Sequence, residues 1–176
     1  MPRTVILPQE LDEKLQALTS LREESNGVLL YRQRDNICSV RALYMTGLGS
    51  AGHVQSDSRK VEIVNRFFEK YPNYKYVKFH THTIGTIRQY GDWYAEHFSK
   101  GDTDGYIEQL RDNSEFIAML VTPKTKLLCG LDNPQLRVAE HSEDYERYHE
   151  AIEDMLKYTA EELGMEHERF RGTELK

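Results

Sequence analysis

The chain has 176 residues, 39% hydrophobic and 30% charged, a length and balance that suit one well-buried core with at most an appended element and exclude a disordered chain. A net charge of -6 argues against nucleic acid as a partner, because that role needs a concentrated basic surface. No apolar run approaches a membrane span, and Met1 to Leu15 lacks the pattern of a secretory signal, so no membrane association and a cytoplasmic location are expected.

In chain order, Pro8 followed by Leu11, Leu15, Leu18 and Leu21 predicts an amphipathic helix with proline in its first turn, and Glu24 falls at its end. Asn26 and Gly27 break the helix. The runs Gly27 to Tyr31 and Ile37 to Met45, on either side of a turn at Arg32 to Asn36, predict a strand hairpin. Cys38 and Cys129 sit in strand-like runs without a neighbouring cysteine, which predicts two buried, reduced thiols. Gly47 to Asp57 reads as a loop, and a helix follows from Ser58 through Val61, Val64, Phe67, Phe68 and Tyr71 until Pro72 and Asn73 end it.

Tyr74 to His82 predicts a strand, Thr83 to Phe98 a long polar and aromatic loop, and Asp102 to Arg111 a short helix. Glu115 to Val121 and Lys126 to Leu131 predict two strands around a turn at Pro123. From His141 the chain turns acidic, and Tyr145, Tyr148, Ile152, Met155, Thr159 and Leu163 trace one side of a helix that either packs on the main domain or serves a dimer or partner. The mixed order predicts an α/β fold, with one domain over residues 1–140 and a C-terminal helical extension over 141–176.

The chemistry concentrates in Tyr76-Val77-Lys78-Phe79-His80-Thr81-His82. Side chains alternate across a strand, so Val77 and Phe79 enter the core while His80 and His82 share the other face about 6 to 7 Å apart, within reach of one metal ion. Thr81 points away from them, toward packing or positioning. A third ligand is needed, and Ser99-Lys100-Gly101-Asp102 offers a carboxylate at the opening of the next helix. The same Ser-x-x-Asp pattern also reads as a helix cap, a role compatible with aiming a carboxylate. Glu24 precedes Gly27 by three residues, with Glu23 beside it as an alternative; His97 is an alternative ligand.

Taken together, these residues resemble the JAMM metalloproteases, also called MPN-plus proteins. That family combines a glutamate three residues before a glycine that opens an apolar strand, then His-x-His, then Ser-x-x-Asp, and Glu24, His80-Thr81-His82 and Ser99 to Asp102 follow in that order. The similarity runs from about Leu11 to Leu131 and includes the helix before the histidines and the strand segment Phe116 to Pro123 after the aspartate's helix. Two departures stand out. Thr83 replaces the proline usual after the second histidine, and the segment Thr83 to Phe98, with its four aromatic residues Tyr90, Trp93, Tyr94 and Phe98, is longer than the family's spacing and reads as a lid, a substrate contact or a packed surface loop.

The resemblance implies a curved mixed sheet flanked by helices, in the cytidine-deaminase-like JAMM/MPN arrangement. It implies one zinc ion (Zn2+) with a bound water on His80, His82 and Asp102, Glu24 as general base and Ser99 as oxyanion donor. The expected activity is hydrolysis of the isopeptide bond that joins ubiquitin or a ubiquitin-like modifier to its target. A non-catalytic scaffold of the same fold, and a peptidase acting on small peptide or amino-acid conjugates, remain alternatives, as does assembly into a homodimer or larger complex. A nucleotide site at Gly47-Leu48-Gly49-Ser50-Ala51-Gly52 is disfavoured, because at least five residues separate Gly52 from the helix start and no acidic residue ends the strand Tyr74 to His82.

Overall fold

The computed structural model describes residues 1–50, 52–140 and 143–166. Thr4-Val5-Ile6-Leu7-Pro8 alternates buried and half-buried side chains and forms strand β1 (Thr4–Pro8), an element beyond those expected from the sequence pattern. Pro8 then supplies the extended residue before α1 (Gln9–Leu18), whose Leu11, Leu15 and Leu18 are buried. The helix ends at Leu18 and not near Glu24. The amides of Thr19, Ser20 and Leu21 bond to the carbonyls three residues back, a tight turn that closes the helix, and the Thr19 hydroxyl donates to Gln16 O at 2.7 Å. Leu21 still packs against the core from outside the helix, so its spacing mimicked a further helical turn.

Strands β2 (Ser25–Arg34) and β3 (Ile37–Leu48) form the expected antiparallel hairpin. Helix α2 (Ser58–Lys70) starts at its Asp57 cap, which accepts from the Arg59 amide at 2.8 Å. Gly47 and Leu48 belong to β3, so the glycine-rich stretch does not present this helix start, and Ala51 lies outside the described residues. After β4 (Tyr74–Thr81), the expected loop instead contains two short helices, α3 (Ile84–Tyr90) and α4 (Asp92–Ala95), before α5 (Lys100–Asp112). Strands β5 (Ala118–Val121) and β6 (Lys126–Cys129) follow, then β7 (Gln135–Ala139), also unassigned from sequence, and α6 (Glu143–Glu162). His141, Ser142 and residues 167–176, parts of the expected C-terminal extension, lie outside the described residues.

The seven strands make one mixed sheet in the order β6-β5-β4-β2-β3-β1-β7. β2 runs antiparallel to both β3 and β4, β4 is parallel to β5, and β1 is parallel to both β3 and β7. Both faces are covered, which makes this an α/β fold with helices flanking the sheet. Leu29, Tyr31, Val77 and Phe79 pack with the leucines of α1 on one side. On the other, Val28, Leu30, Ala42 and Tyr44 pack with Ile63, Val64 and Phe67 of α2 and with Ile152, Leu156 and Ala160 of α6. Each fully buried Val, Leu, Ile or Phe side chain among these contributes roughly 1.5–3 kcal/mol. From the expected α6 stripe, Tyr145, Ile152 and Thr159 are buried, whereas Tyr148 is exposed beneath the Arg41 guanidinium. Cys38 is buried, but Cys129, expected to be buried, is half-buried because it lies in the edge strand β6. No helix among the described residues is long and apolar enough to cross a membrane.

Arg3 ties the two ends of the sheet together. Its guanidinium donates to both carboxylate oxygens of Asp132, at 2.9 and 2.7 Å, and to Glu115 O at 2.6 Å, while the Arg3 amide donates to Asp132 at 2.8 Å. These bonds bring Asp132 down to about 2. A depressed carboxylate stabilises the fold above its ordinary pKa and loses that contribution as pH falls through the folded value. The stabilisation is therefore present above about pH 4 and disappears toward pH 2. Asp132→Asn is expected to cost about 2 kcal/mol in urea unfolding at pH 7, because it removes a charge-assisted pair from a buried guanidinium. Wild type and variant should converge in stability near pH 2.

Candidate metal centre

The register of the central strands assembles the site. Asn26 of β2 pairs with His80 of β4, so the residue two places before Asn26, Glu24, is carried alongside His82 at the same end of the sheet. Gly27 allows this close packing, since a Cβ there would collide with the Tyr44 carbonyl oxygen and the Phe79 ring. Thr81 points away from the histidines, and its hydroxyl oxygen accepts from the Ser25 amide at 2.9 Å, fixing the residue next to Glu24. Val77 and Phe79 are fully buried on the α1 side, as alternation requires.

His80 and His82 are both buried, with ring centroids 5.1 Å apart. Asp102 Oδ2 lies 3.3 Å from His80 Nε2 and 4.0 Å from His82 Nε2. One ligand atom from each of His80, His82 and Asp102 falls within 4.8 Å of the others. Asp102 comes from the first turn of α5, where Ser99 makes a reciprocal cap. The Ser99 amide and hydroxyl donate to Asp102 Oδ2 at 2.8 and 2.7 Å, and the Asp102 amide donates back to Ser99 Oγ at 3.1 Å. The Ser-x-x-Asp pattern is thus a helix cap, and the cap holds the carboxylate rigidly beside the two histidines. Burial pushes Asp102 up, but its contacts with His80 and Ser99 outweigh this and hold it well below the usual carboxylate range.

The outer ring nitrogens settle which atoms face the cluster. His82 Nδ1 lies 3.0 Å from Ala95 O, and a carbonyl only accepts, so Nδ1 carries the proton and Nε2 keeps its lone pair toward Asp102. Burial, and then the neighbouring His80, lower the His82 pKa and keep it neutral, the state that binds metal. His80 Nδ1 is 2.9 Å from the Tyr106 hydroxyl, whose pKa burial pushes up. His80 Nε2 is buried without a hydrogen-bond partner; its 3.3 Å approach to Asp102 lacks hydrogen-bond geometry. An orphaned imidazole nitrogen, a second imidazole lone pair and a carboxylate oxygen form a donor set that fits zinc, and three such ligands would leave room for a water or substrate oxygen.

Glu24, His80, His82 and Asp102 line one cleft of about 700 Å³, together with Ser99, Tyr94 and Tyr106. Glu24 is 3% exposed. Burial raises its pKa, opposed by hydrogen bonds from the Thr86 hydroxyl and the Gly52 amide and by His80. Glu23 does not line the cleft. His97 is exposed, stacks on Trp93 and stays outside the cluster. Sequence reasoning missed Tyr106, Ala95 and Thr86, and named Tyr94 only as one aromatic residue of the Thr83 to Phe98 segment. The first two orient the imidazoles, and Tyr94 stacks on His82 with centroids 5.7 Å apart. Of the three missed residues only Thr86 left a legible signal, as the last residue of a Thr-x-x-Thr helix cap.

No family model matches the chain, and no curated protein matches it. Among solved structures, it is similar to the solution structure of a Desulfitobacterium hafniense protein determined by a structural-genomics consortium. The TM-score is 0.54 at 18% identity, over 83% of this chain and 98% of that one. That likeness bears on the fold alone: the chain shares with it a mixed α/β architecture.

Proposed function

We propose that the chain is a zinc-dependent metallo-isopeptidase of the JAMM type, with His80, His82 and Asp102 as metal ligands and Glu24 as general base. The observation that carries this reading is the convergence of a buried Glu24 with two histidines and an aspartate in one cleft. The order of these residues, and the flanking of one mixed sheet by helices, agree with the JAMM/MPN arrangement.

When bound, zinc would supply Lewis-acid polarisation of the scissile carbonyl and lower the pKa of a water molecule toward roughly 7. Glu24, its basicity raised by burial, accepts a proton from the attacking water and returns it to the leaving amine. Ser99 holds Asp102, and its hydroxyl proton points at Oδ2; service as an oxyanion donor requires that hydroxyl to rotate toward the substrate. Tyr94 and Tyr106 shape the walls and keep the imidazoles in register. The bond proposed for cleavage is the isopeptide link of ubiquitin or a ubiquitin-like modifier.

Purified protein incubated with a panel of ubiquitin-like conjugates and short peptides, with and without a zinc chelator, tests the proposal. We expect about one zinc per chain, and cleavage of at least one conjugate that the chelator abolishes and added zinc restores. Cleavage of short peptides alone would move the substrate class to small conjugates. Absence of chelator-sensitive cleavage across the panel would favour a scaffold.

A further inference from the structure

The two helices between His82 and Ser99 meet the candidate base at its carboxylate. Thr86, fully buried in the first turn of α3, donates its hydroxyl proton to Glu24 Oε1 at 2.8 Å. The direction of that proton is fixed by the neighbours: the Thr83 amide donates to Thr86 Oγ1 at 2.9 Å, and an ionised Glu24 can only accept.

The start of α3 is itself pinned to the segment that leads into Glu24. The Ile84 amide donates to Thr19 O at 2.9 Å, and the Thr83 hydroxyl donates to Arg22 O at 3.1 Å. Gly85 lies so close to the Arg22 carbonyl that a Cβ would collide with it. At the other end of α3, the Tyr90 ring lies against Gly52, whose amide is the second donor to the Glu24 carboxylate. The segment therefore holds one donor to Glu24 directly and buttresses the other.

Resting on the proposed hydrolysis, we infer that Thr86 is a positioning residue for Glu24, and that the segment Ile84 to Ala95 serves the general base as well as walling the cleft. A hydroxyl donating to the ionised carboxylate stabilises that form and fixes its rotamer. Losing it frees the carboxylate to turn and makes it harder to ionise. The other titratable groups that act on Glu24, His80 and Asp102, are supplied by different elements and remain in place.

The experiment compares wild type with Thr86→Val, which keeps the branched shape and removes the hydroxyl, and Thr86→Ser, which keeps the hydroxyl. Thr86→Ala replaces the valine variant if that one fails to fold by circular dichroism. The first readout is kcat and KM across pH for the zinc-loaded protein on the conjugate that wild type cleaves. The second is a 13C NMR titration of the Glu24 side chain in the zinc-free protein.

We expect Thr86→Val to lose about ten- to hundredfold in kcat with little change in KM or zinc content, the acidic limb of its pH profile moving up. Its Glu24 carboxyl should titrate at higher pH than in wild type, and Thr86→Ser should restore both properties. An unchanged Glu24 titration, or a valine variant with wild-type kcat and pH profile, overturns the inference. If wild type cleaves nothing, the hydrolytic proposal fails while the Glu24 titration still decides the role of Thr86.

Discussion

Glu24→Gln is expected to bind zinc as wild type does and to lose about 10²- to 10⁴-fold in kcat. The substitution keeps volume and shape. Its amide oxygen can still accept from the Thr86 hydroxyl, at the expense of the Gly52 amide's bond, and the three proposed metal ligands lie on β4, just beyond it, and on α5, so the metal donor set is not touched. What disappears is a group able to take a proton and give it back. Zinc content by elemental analysis, set beside single-turnover cleavage, separates the two properties, and near-normal turnover with full zinc would exclude Glu24 as the base.

Asp102→Asn probes the other half of the site. The asparagine keeps the size of the side chain, but the charge is gone, and one orientation of the amide presents N–H donors to imidazole nitrogens that must themselves act as donors to a metal. We expect zinc affinity to fall by at least about 100-fold. A bound metal raises stability by about 2.7 kcal/mol at a hundred times its dissociation constant, so the wild-type melting temperature should rise on zinc addition. Little or no rise is expected for Asp102→Asn at the same concentration. An undiminished rise would place the metal elsewhere.

The strongest sequence signals were those whose physics is local. Alternation in Tyr76 to His82 identified which side chains enter the core and which face the cleft, and Ser99 to Asp102 announced a helix start that proved also to aim a carboxylate. Glu24 was legible as a site candidate but not in its setting. The expected helix ran on through Leu21 because that leucine does pack inward, from a turn that apolar spacing cannot tell from a helix.

Strands β1 and β7 escaped notice for a different reason. Each is five residues long and is completed by parallel partners distant in sequence, information that no local pattern carries. The helices after His82 are likewise too short to show periodicity. They are held by bonds to Thr19 and Arg22 and by the packing of Tyr90 against Gly52, so their roles became visible only with their neighbours in place.

The position of β1 has a consequence for how the chain is made. The earliest of the seven strands in sequence sits between β3 and β7, and its pairing with Gln135–Ala139 joins residues about 130 apart in sequence. At about 5–20 residues per second on the ribosome, one edge of β1 remains without its partner for on the order of 10 s. During that interval Val5 and Leu7 already have α1 to pack against, but the backbone amides and carbonyls of that edge are open to any other extended chain. The β1–β7 pairing thus cannot form until Gln135–Ala139 has been made, although β1 is the first of the seven strands in sequence.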